Sequence, residues 1–335
     1  MYHIITNPSS GSGKNADNRL LSELESSLTR AGIDYEIIYT SGPGHAAALG
    51  RTLSRTGSEE TVLILGGDGT INEFLSEISE PSHIRLGILP AGSGNDLARG
   101  LGLPDLRNDP EQKETIARIT AGNVCRTVDL GVLEFSAAGN AQEGPSGLSG
   151  LRSEKDPSNV RRLFIISSGI GFDAAVCAES LRSGEKDFFN RLHLGKLTYG
   201  YLALKHLASY FSHKTGCRLL LDGTKQLHLR HFLFAAAMNH SYEGGGYCFA
   251  PDASDTDGML NLLVIGDMPI LRLFRSFPAA HAGKHYRIKG VRHYTFRRAV
   301  IRSTEPLWVH VDGEVPVKTD RISYSILPQA LKLIV

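Results

Sequence analysis

Cysteine is scarce in this chain of 335 residues: Cys125, Cys177, Cys217 and Cys248 stand far apart and match no metal-ligand spacing. A reduced protein with isolated core thiols is expected. Long apolar runs are missing too. The longest, Phe232 to Met238, falls far short of a membrane-crossing helix. Met1 to Pro8 reads as a strand, with no basic leader or cleavage site. A cytoplasmic protein is expected, with peripheral contact at the inner face of the membrane left open. Neither sign of charge is in excess, since 36 lysines and arginines meet 35 aspartates and glutamates. No helix–turn–helix or RNP pattern occurs, so nothing points to nucleic acid. A Walker A loop is also lacking. In Pro8-Ser9-Ser10-Gly11-Ser12-Gly13-Lys14, Pro8 stands where the first glycine should be and Asn15 where the magnesium-binding hydroxyl should be.

Glycine, by contrast, is abundant at 36 residues, and it gathers in turns. Thr61 to Leu65 reads as a buried strand. It runs into Gly66, Gly67, Asp68, Gly69 and Thr70, and then into a helix carrying Asn72 and Glu73. Three glycines around one carboxylate leave backbone amides uncovered, able to approach phosphate oxygens, with the aspartate free to face a metal or water. A plain β–α turn with a solvated aspartate is the alternative. The second such turn, Leu89-Pro90-Ala91-Gly92-Ser93-Gly94-Asn95-Asp96, moves the balance toward a nucleotide. Strands at Tyr2–Asn7, Asp34–Thr40, Thr61–Leu65 and Ile84–Leu89 alternate with helices. They predict an open, mainly parallel sheet with its glycine turns at the carboxyl ends, where ligands gather on such sheets. His45 reads as helix-cap chemistry rather than a base.

The length predicts two domains. Beyond about residue 128 the pattern turns strand-rich. Residues 136–160 predict a long loop. Phe164 to Ser168 leads into Gly169-Ile170-Gly171-Phe172-Asp173 and a helix from Ala174, and a longer helix is predicted over Leu192–Ser209. Short strands follow at Cys217–Leu221, His228–Asn239, Met259–Ile265, His285–Ile288, Val291–Arg302 and Leu307–Val311. Asp222-Gly223 and Asp312-Gly313 supply turns between strands. The fold class is therefore α/β in two domains: an α/β nucleotide-binding domain over 1–128, and a β-rich, sandwich-like domain over 129–315.

The paired turns, Gly66-Gly67-Asp68-Gly69-Thr70 with Asn72-Glu73 and Leu89-Pro90-x-Gly92-Ser93-x-Asn95-Asp96, resemble the catalytic domain of the diacylglycerol and sphingosine kinases, the soluble bacterial lipid kinases above all. NAD kinases and 6-phosphofructokinases resemble only the first turn well. The resemblance implies a three-layer, NAD-kinase-like first domain that residues 316–335 rejoin. It implies an ATP site lined by Asn7, Pro8, Gly11, Gly13, Lys14, Thr40, Gly66, Gly67, Asp68, Gly69, Thr70, Asn72, Glu73, Gly92, Ser93, Gly94 and Asn95, with catalytic Mg2+ near Asp68. In Trp308-Val309-His310-Val311-Asp312-Gly313-Glu314 it makes Glu314 the general base toward a lipid hydroxyl, with Asp312 or Asp68 as fallback. Asp257-Gly258-x-Leu260 resembles a structural magnesium segment, with the Asp257 carboxylate and the Ser254 and Met259 carbonyls as ligands. Hard oxygen donors suit that ion. Asp129, in Val128-Asp129-Leu130-Gly131, is implied as either an interdomain acceptor or a metal-side carboxylate.

The implied substrate is a lipid with a free hydroxyl, diacylglycerol first, and homodimers occur in such families. Lys284 to Arg302 holds seven lysines or arginines and no acid, fit to rest on anionic headgroups or simply to face solvent. Lys186, Arg191, His193 and Lys196 would add to it. Two rivals stand beside the lipid kinase: an NAD-kinase-like kinase of a soluble substrate, and a non-catalytic nucleotide- or lipid-binding protein on the same scaffold.

Overall fold

The computed structural model describes residues 1–8, 14–92, 95–103, 112–121, 125–138, 140–147, 150–153, 156–182 and 215–334. The chain divides into two compact units. One comprises Met1–Leu130, Asp255–Asp257 and Leu327–Val335; the other comprises Gly131–Ser254 and Gly258–Ile326.

The first unit is built on parallel strands. β1 (Tyr2–Thr6) lies between β2 (Tyr35–Tyr39) and β3 (Glu60–Gly66), and β3 pairs onward with β4 (Ile84–Pro90). Lys332 to Ile334, the end of the chain's last strand, pair in parallel with Arg85 to Gly87 of β4. Helices α1 (Lys14–Arg30), α2 (His45–Leu53), α3 (Asp68–Leu75), α4 (Asp96–Leu101) and α5 (Gln112–Ala121) fill the connections. Leu20, Leu24 and Leu28 recur at helical spacing on α1. With Ile116 and Ile119 of α5 they cover Ile4, Leu63 and Leu65 on one sheet face. Ile5, Val62 and Ile64 alternate with these, are equally buried, and point to the other face. Both faces are covered, which is why these strands read as continuous apolar runs rather than as alternating ones.

The second unit is β-rich. β5 (Cys125–Ser136) carries the chain into it and pairs with β8 (Asn159–Phe164), which also pairs with β7 (Leu151–Arg152). β6 (Gln142–Glu143) pairs with β18 (Glu314–Ile334). Then follow β9 (Ser167–Gly171), α6 (Phe172–Arg182), β10 (Cys217–Leu221), β11 (Lys225–Leu229) and β12 (Phe232–Met238). β13 (Tyr242–Glu243), β14 (Tyr247–Cys248), β15 (Leu260–Gly266), α7 (Ile270–His281), β16 (Val291–Phe296) and β17 (Arg298–Val311) complete it. Strands run in the order β16-β15-β12-β9-β17-β18. All of β12 is buried. Phe232, Ala235 and Ala237 join the core around Phe164 and Tyr324, while Leu233, Phe234, Ala236 and Met238 join the core under α6 and α7. A bulge between Phe232 and Phe234 explains why two successive residues share a face.

The two-domain α/β class read from the sequence is the class of the fold. Several elements differ. His285 to Ile288 is not a strand: His285–Arg287 forms a 3-10 turn, drawn inward by the buried His285, whose Nε2 lies 3.1 Å from the Phe249 carbonyl. Helix α7 was not foreseen. Residues 136–160 hold β6, β7 and the start of β8 instead of an unbroken loop. The two longest strand readings each break in two, at Arg230–His231 and at Arg297. The helix expected over Leu192–Ser209 lies outside the described residues, as do Lys186, Arg191, His193 and Lys196.

Candidate functional site

In the first unit, β3 and β4 end level with one another, Gly66 opposite Pro90, and the Ala91 amide donates to the Gly66 carbonyl at 2.9 Å. The two glycine turns therefore start side by side. A Cβ on Gly67 would lie 3.0 Å from the Gly92 Cα, and one on Gly92 would lie 2.6 Å from the Gly67 Cα. Any side chain at either position would push the turns apart, so only bare main chain fits there. Asn95 holds the second turn, at a φ of 50°, with its Nδ2 donating to the Gly92 carbonyl at 2.9 Å.

Asp68 opens α3, and its carboxylate accepts the Asp96 amide at 2.8 Å and the Leu97 amide at 3.4 Å. It caps the first turn of α4, where a negative charge is favoured. Its oxygens anchor the neighbouring helix. Asp96 is itself buried and paired with Arg99. Asn72 is fully buried, and Glu73 keeps a buried Oε1 without a partner among the described residues. Thr70 donates its amide to the Gly67 carbonyl.

Asn7 and Pro8 follow β1, and the buried Thr40 follows β2, its amide donating to the Thr6 carbonyl at 2.9 Å. Asn7, Pro8, Thr40, Gly66, Gly67, Asp68, Gly69, Thr70, Asn72, Glu73, Gly92 and Asn95 thus follow or flank the carboxyl ends of parallel strands in one unit. Gly11, Gly13, Ser93 and Gly94 lie outside the described residues, as does the side chain of Lys14. His45 accepts the Ser41 amide at its Nδ1 at 3.0 Å, a helix-start contact. The bare main chain of the two turns suits the close approach of a polyphosphate, and Glu73 adds a buried carboxylate oxygen on the helix that Asp68 opens.

In the second unit, Asp312-Gly313 forms the two-residue turn joining β17 to β18, with φ 46° and 87°. Asp312 is nearly buried. Its carboxylate accepts three main-chain amides, from Ile165 at 3.1 Å, Ile166 at 2.9 Å and Ser167 at 2.8 Å. It braces the bend between β8 and β9. Glu314, two residues on, is partly exposed and accepts the Ser146 hydroxyl at 2.6 Å. Ser146 Oγ also accepts the Val315 amide at 2.8 Å, and the Gly144 amide donates to the Pro316 carbonyl. The stretch 140–147 is thus laid along the start of β18. Sequence reading assigned this stretch no role, and no spacing links Ser146 to Glu314.

Asp257 lies exposed on its loop, with Ser254 and Met259 half-buried. One carboxylate and two main-chain carbonyls are a donor set that suits a hard cation. The buried carboxylate of that loop is Asp255, paired with Arg126. Asp129 is fully buried; its amide donates to the Asp255 carbonyl at 2.6 Å, and its Oδ1 accepts the Gln329 amide at 2.7 Å. It ties together the three chain segments of the first unit.

Sequence reading also gave no role to a cluster in the second unit. His310 is fully buried, and its Nε2 lies 3.2 Å from Asp173 Oδ2 and 3.0 Å from Glu243 Oε1. Burial opposes a charge on the imidazole, but the Glu243 and Asp173 carboxylates outweigh it and hold His310 well above its ordinary value. Burial lifts the Asp173 carboxyl, and His310 only partly offsets this. Burial also pushes the Cys177 thiol up to about 12, within electrostatic range of His310, Glu243, Asp173 and Glu314.

Two family models match the chain: residues 1–133 match the diacylglycerol kinase catalytic domain, and residues 168–335 the YegS C-terminal NAD kinase beta sandwich-like domain. YtlR of Bacillus subtilis (strain 168), which carries the name of a candidate lipid kinase, is 25% identical over 334 residues, covering 99% of each chain. A diacylglycerol kinase of Mycobacterium tuberculosis (strain CDC 1551 / Oshkosh) is 27% identical over 336 residues, covering 98% of this chain and 93% of its own. A crystal structure of a diacylglycerol kinase from Bacillus anthracis str. Sterne superposes with a TM-score of 0.68 at 21% identity, covering 99% of this chain and 96% of that one. The last likeness is one of fold.

Proposed function

The chain belongs to the bacterial diacylglycerol kinase and lipid kinase family, and from that premise we propose that it transfers the γ-phosphate of ATP to the free hydroxyl of a lipid, diacylglycerol first, to give phosphatidic acid. The observation that carries this reading is the contact of two bare glycine turns, at Gly67 and Gly92, at the ends of adjacent parallel strands. Main-chain amides of these turns bind the phosphates, with Asn7, Thr40, Thr70 and Asn95 around them. Asp68 fixes where α4 and the second turn stand. Mg2+, held near Asp68, supplies neutralisation of phosphate charge when bound. A second such ion suits the Asp257 carboxylate with the Ser254 and Met259 carbonyls.

Glu314 receives the proton of the acceptor hydroxyl. As the lipid oxygen bonds to the γ-phosphorus, the bond from that phosphorus to the bridging oxygen breaks and ADP leaves. A carboxylate is a weak base for an alcohol, so it takes the proton late, after phosphorus–oxygen bonding has begun. Ser146 orients the carboxylate through its 2.6 Å hydrogen bond.

The experiment follows label from [γ-32P]ATP into the organic phase over mixed micelles of several lipids with Mg2+. Labelled phosphatidic acid is expected, with Glu314→Gln and Asp68→Asn each reducing it about 100-fold or more. Label in another lipid moves the substrate and keeps the roles. No labelled lipid, with ATP or NAD still tightly bound, hands the lead to a soluble-substrate kinase or a non-catalytic binding protein.

A further inference from the structure

We propose that Asp173, Glu243 and His310 form a binding site for a divalent transition-metal ion, Mn2+ fitting best. The three ligand atoms lie within 4.8 Å of one another. Two features of their arrangement point to a shared cation rather than to hydrogen bonds alone. A ring nitrogen carries a single hydrogen, yet His310 Nε2 meets carboxylate oxygens on two residues, at 3.2 and 3.0 Å. Metal bonds of about 2.1 Å meeting at right angles set neighbouring ligand atoms roughly 3.0 Å apart, while tetrahedral bonds set them roughly 3.4 Å apart. The observed 3.0 Å matches the right-angled edge and the 3.2 Å lies midway to the tetrahedral one, which favours the right-angled set that Mn2+ adopts more readily than Zn2+.

Charge gives the second argument. His310 is wholly buried, and the side chains of Asp173 and Glu243 are each 13% exposed. Two ionised carboxylates and an imidazolium leave one negative charge uncompensated in the core unless one carboxyl keeps its proton. A dication with a neutral imidazole leaves none. Buried charge without compensation is strongly disfavoured. His310 Nδ1 is buried without a partner among the described residues, and so is Glu243 Oε2. A buried N–H without an acceptor weighs more on a cationic ring than on a neutral one, so the orphaned Nδ1 also favours the neutral, ligating form.

The surrounding fold holds the donors in place. Asp173 spends Oδ1 on the Ala174 amide at 2.7 Å and turns Oδ2 to the cluster. Gly169 stands opposite His310 in the β9–β17 ladder, and a Cβ there would collide with both Asp173 Oδ2 and His310 Nε2. Only glycine leaves space for the donors to converge. An imidazole nitrogen beside two carboxylates prefers Mn2+, Fe2+ or Zn2+ to the all-oxygen ions Mg2+ and Ca2+. The cluster thus differs in chemistry from the Asp257 loop, and it does not depend on the kinase reading.

The test uses the full chain, freed of metal with a chelator and given one equivalent of Mn2+. Pulsed electron paramagnetic resonance is expected to show nitrogen coupling from one imidazole. That coupling should vanish in His310→Gln and persist in Asp257→Asn, while Asp173→Asn and Glu243→Gln weaken Mn2+ binding at least 10-fold. Crystals soaked in Mn2+ should give an anomalous peak among the three side chains, which needs no variant to fold. Absence of both nitrogen coupling and that peak at saturating Mn2+ would overturn the site and leave a plain ion-paired triad, as would coupling that survives His310→Gln.

Discussion

Replacing Asp312 by alanine would leave the amides of Ile165, Ile166 and Ser167 without their acceptor. Each buried, unsatisfied N–H costs about 1–3 kcal/mol, and partial rehydration brings the sum to roughly 3 kcal/mol. Asp312→Ala should therefore lower the melting temperature by several degrees. Glu314→Gln should leave melting almost unchanged while removing turnover. Calorimetry beside the phosphotransfer assay separates the two, and equal melting losses would contradict the division of labour argued for this turn. Titration gives a second residue-scale expectation. Burial disfavours the charged form of Glu60, yet hydrogen bonds from His3, Ser58 and Thr56 prevail and hold its carboxyl below the ordinary 4.5. A lowered carboxyl stabilises the fold above its unfolded value, and this stabilisation is lost as pH falls through the folded value. The stability gap between wild type and Glu60→Gln should be full near pH 6 and close as acid carries the pH through the lowered value of the folded carboxyl, as read by urea unfolding at each pH.

Helix α7 carries its apolar side chains on two faces. Leu273, Ser276 and Ala280 are buried, whereas Leu271 is 76% and Phe274 43% exposed, one helical turn apart and beside the exposed Arg275. Just beyond lie exposed Lys284, Arg287 and Lys289, with no acidic residue until past Arg302. Among the described residues no helix is long and apolar enough to cross a membrane. We propose instead that this segment rests on an anionic bilayer, each accessible cation contributing about 1 kcal/mol near the surface. Leu271→Ser with Phe274→Ser should cut cosedimentation with phosphatidylglycerol vesicles several-fold, and salt should weaken what remains. Unchanged cosedimentation would count against the surface.

α7 also shows where sequence reading stopped. Pro269 and Pro278 bracket most of its turns, so its apolar spacing reads as a broken pattern. His285-Tyr286-Arg287-Ile288 alternates like a strand, but the pull of a buried histidine decides its course. β1, β3 and β4 were legible as apolar runs closed by a turn signal, and β2 by its alternation. The glycine turns were legible for the same reason. Asp173, Glu243 and His310 come from three distant segments, as do Ser146 and Glu314, and no local spacing announces such meetings.

At the scale of the molecule, neither unit is one stretch of chain. Asp129 gathers the first unit from its three segments through the Asp255 carbonyl and the Gln329 amide. Ending the chain at Ile326 should remove the strand that covers β4 and expose a flat parallel edge, which invites aggregation. Light scattering of that truncated chain should show aggregates at concentrations where the full chain stays clear. The same arrangement bears on synthesis. The ribosome releases the first 130 residues of the first unit roughly 200 residues before the segment that completes it. At about 5–20 residues per second this leaves a nascent sheet incomplete for roughly 10–40 s. The second unit therefore finishes emerging first, and the nascent first unit is the part of this chain with most to gain from a chaperone's cover.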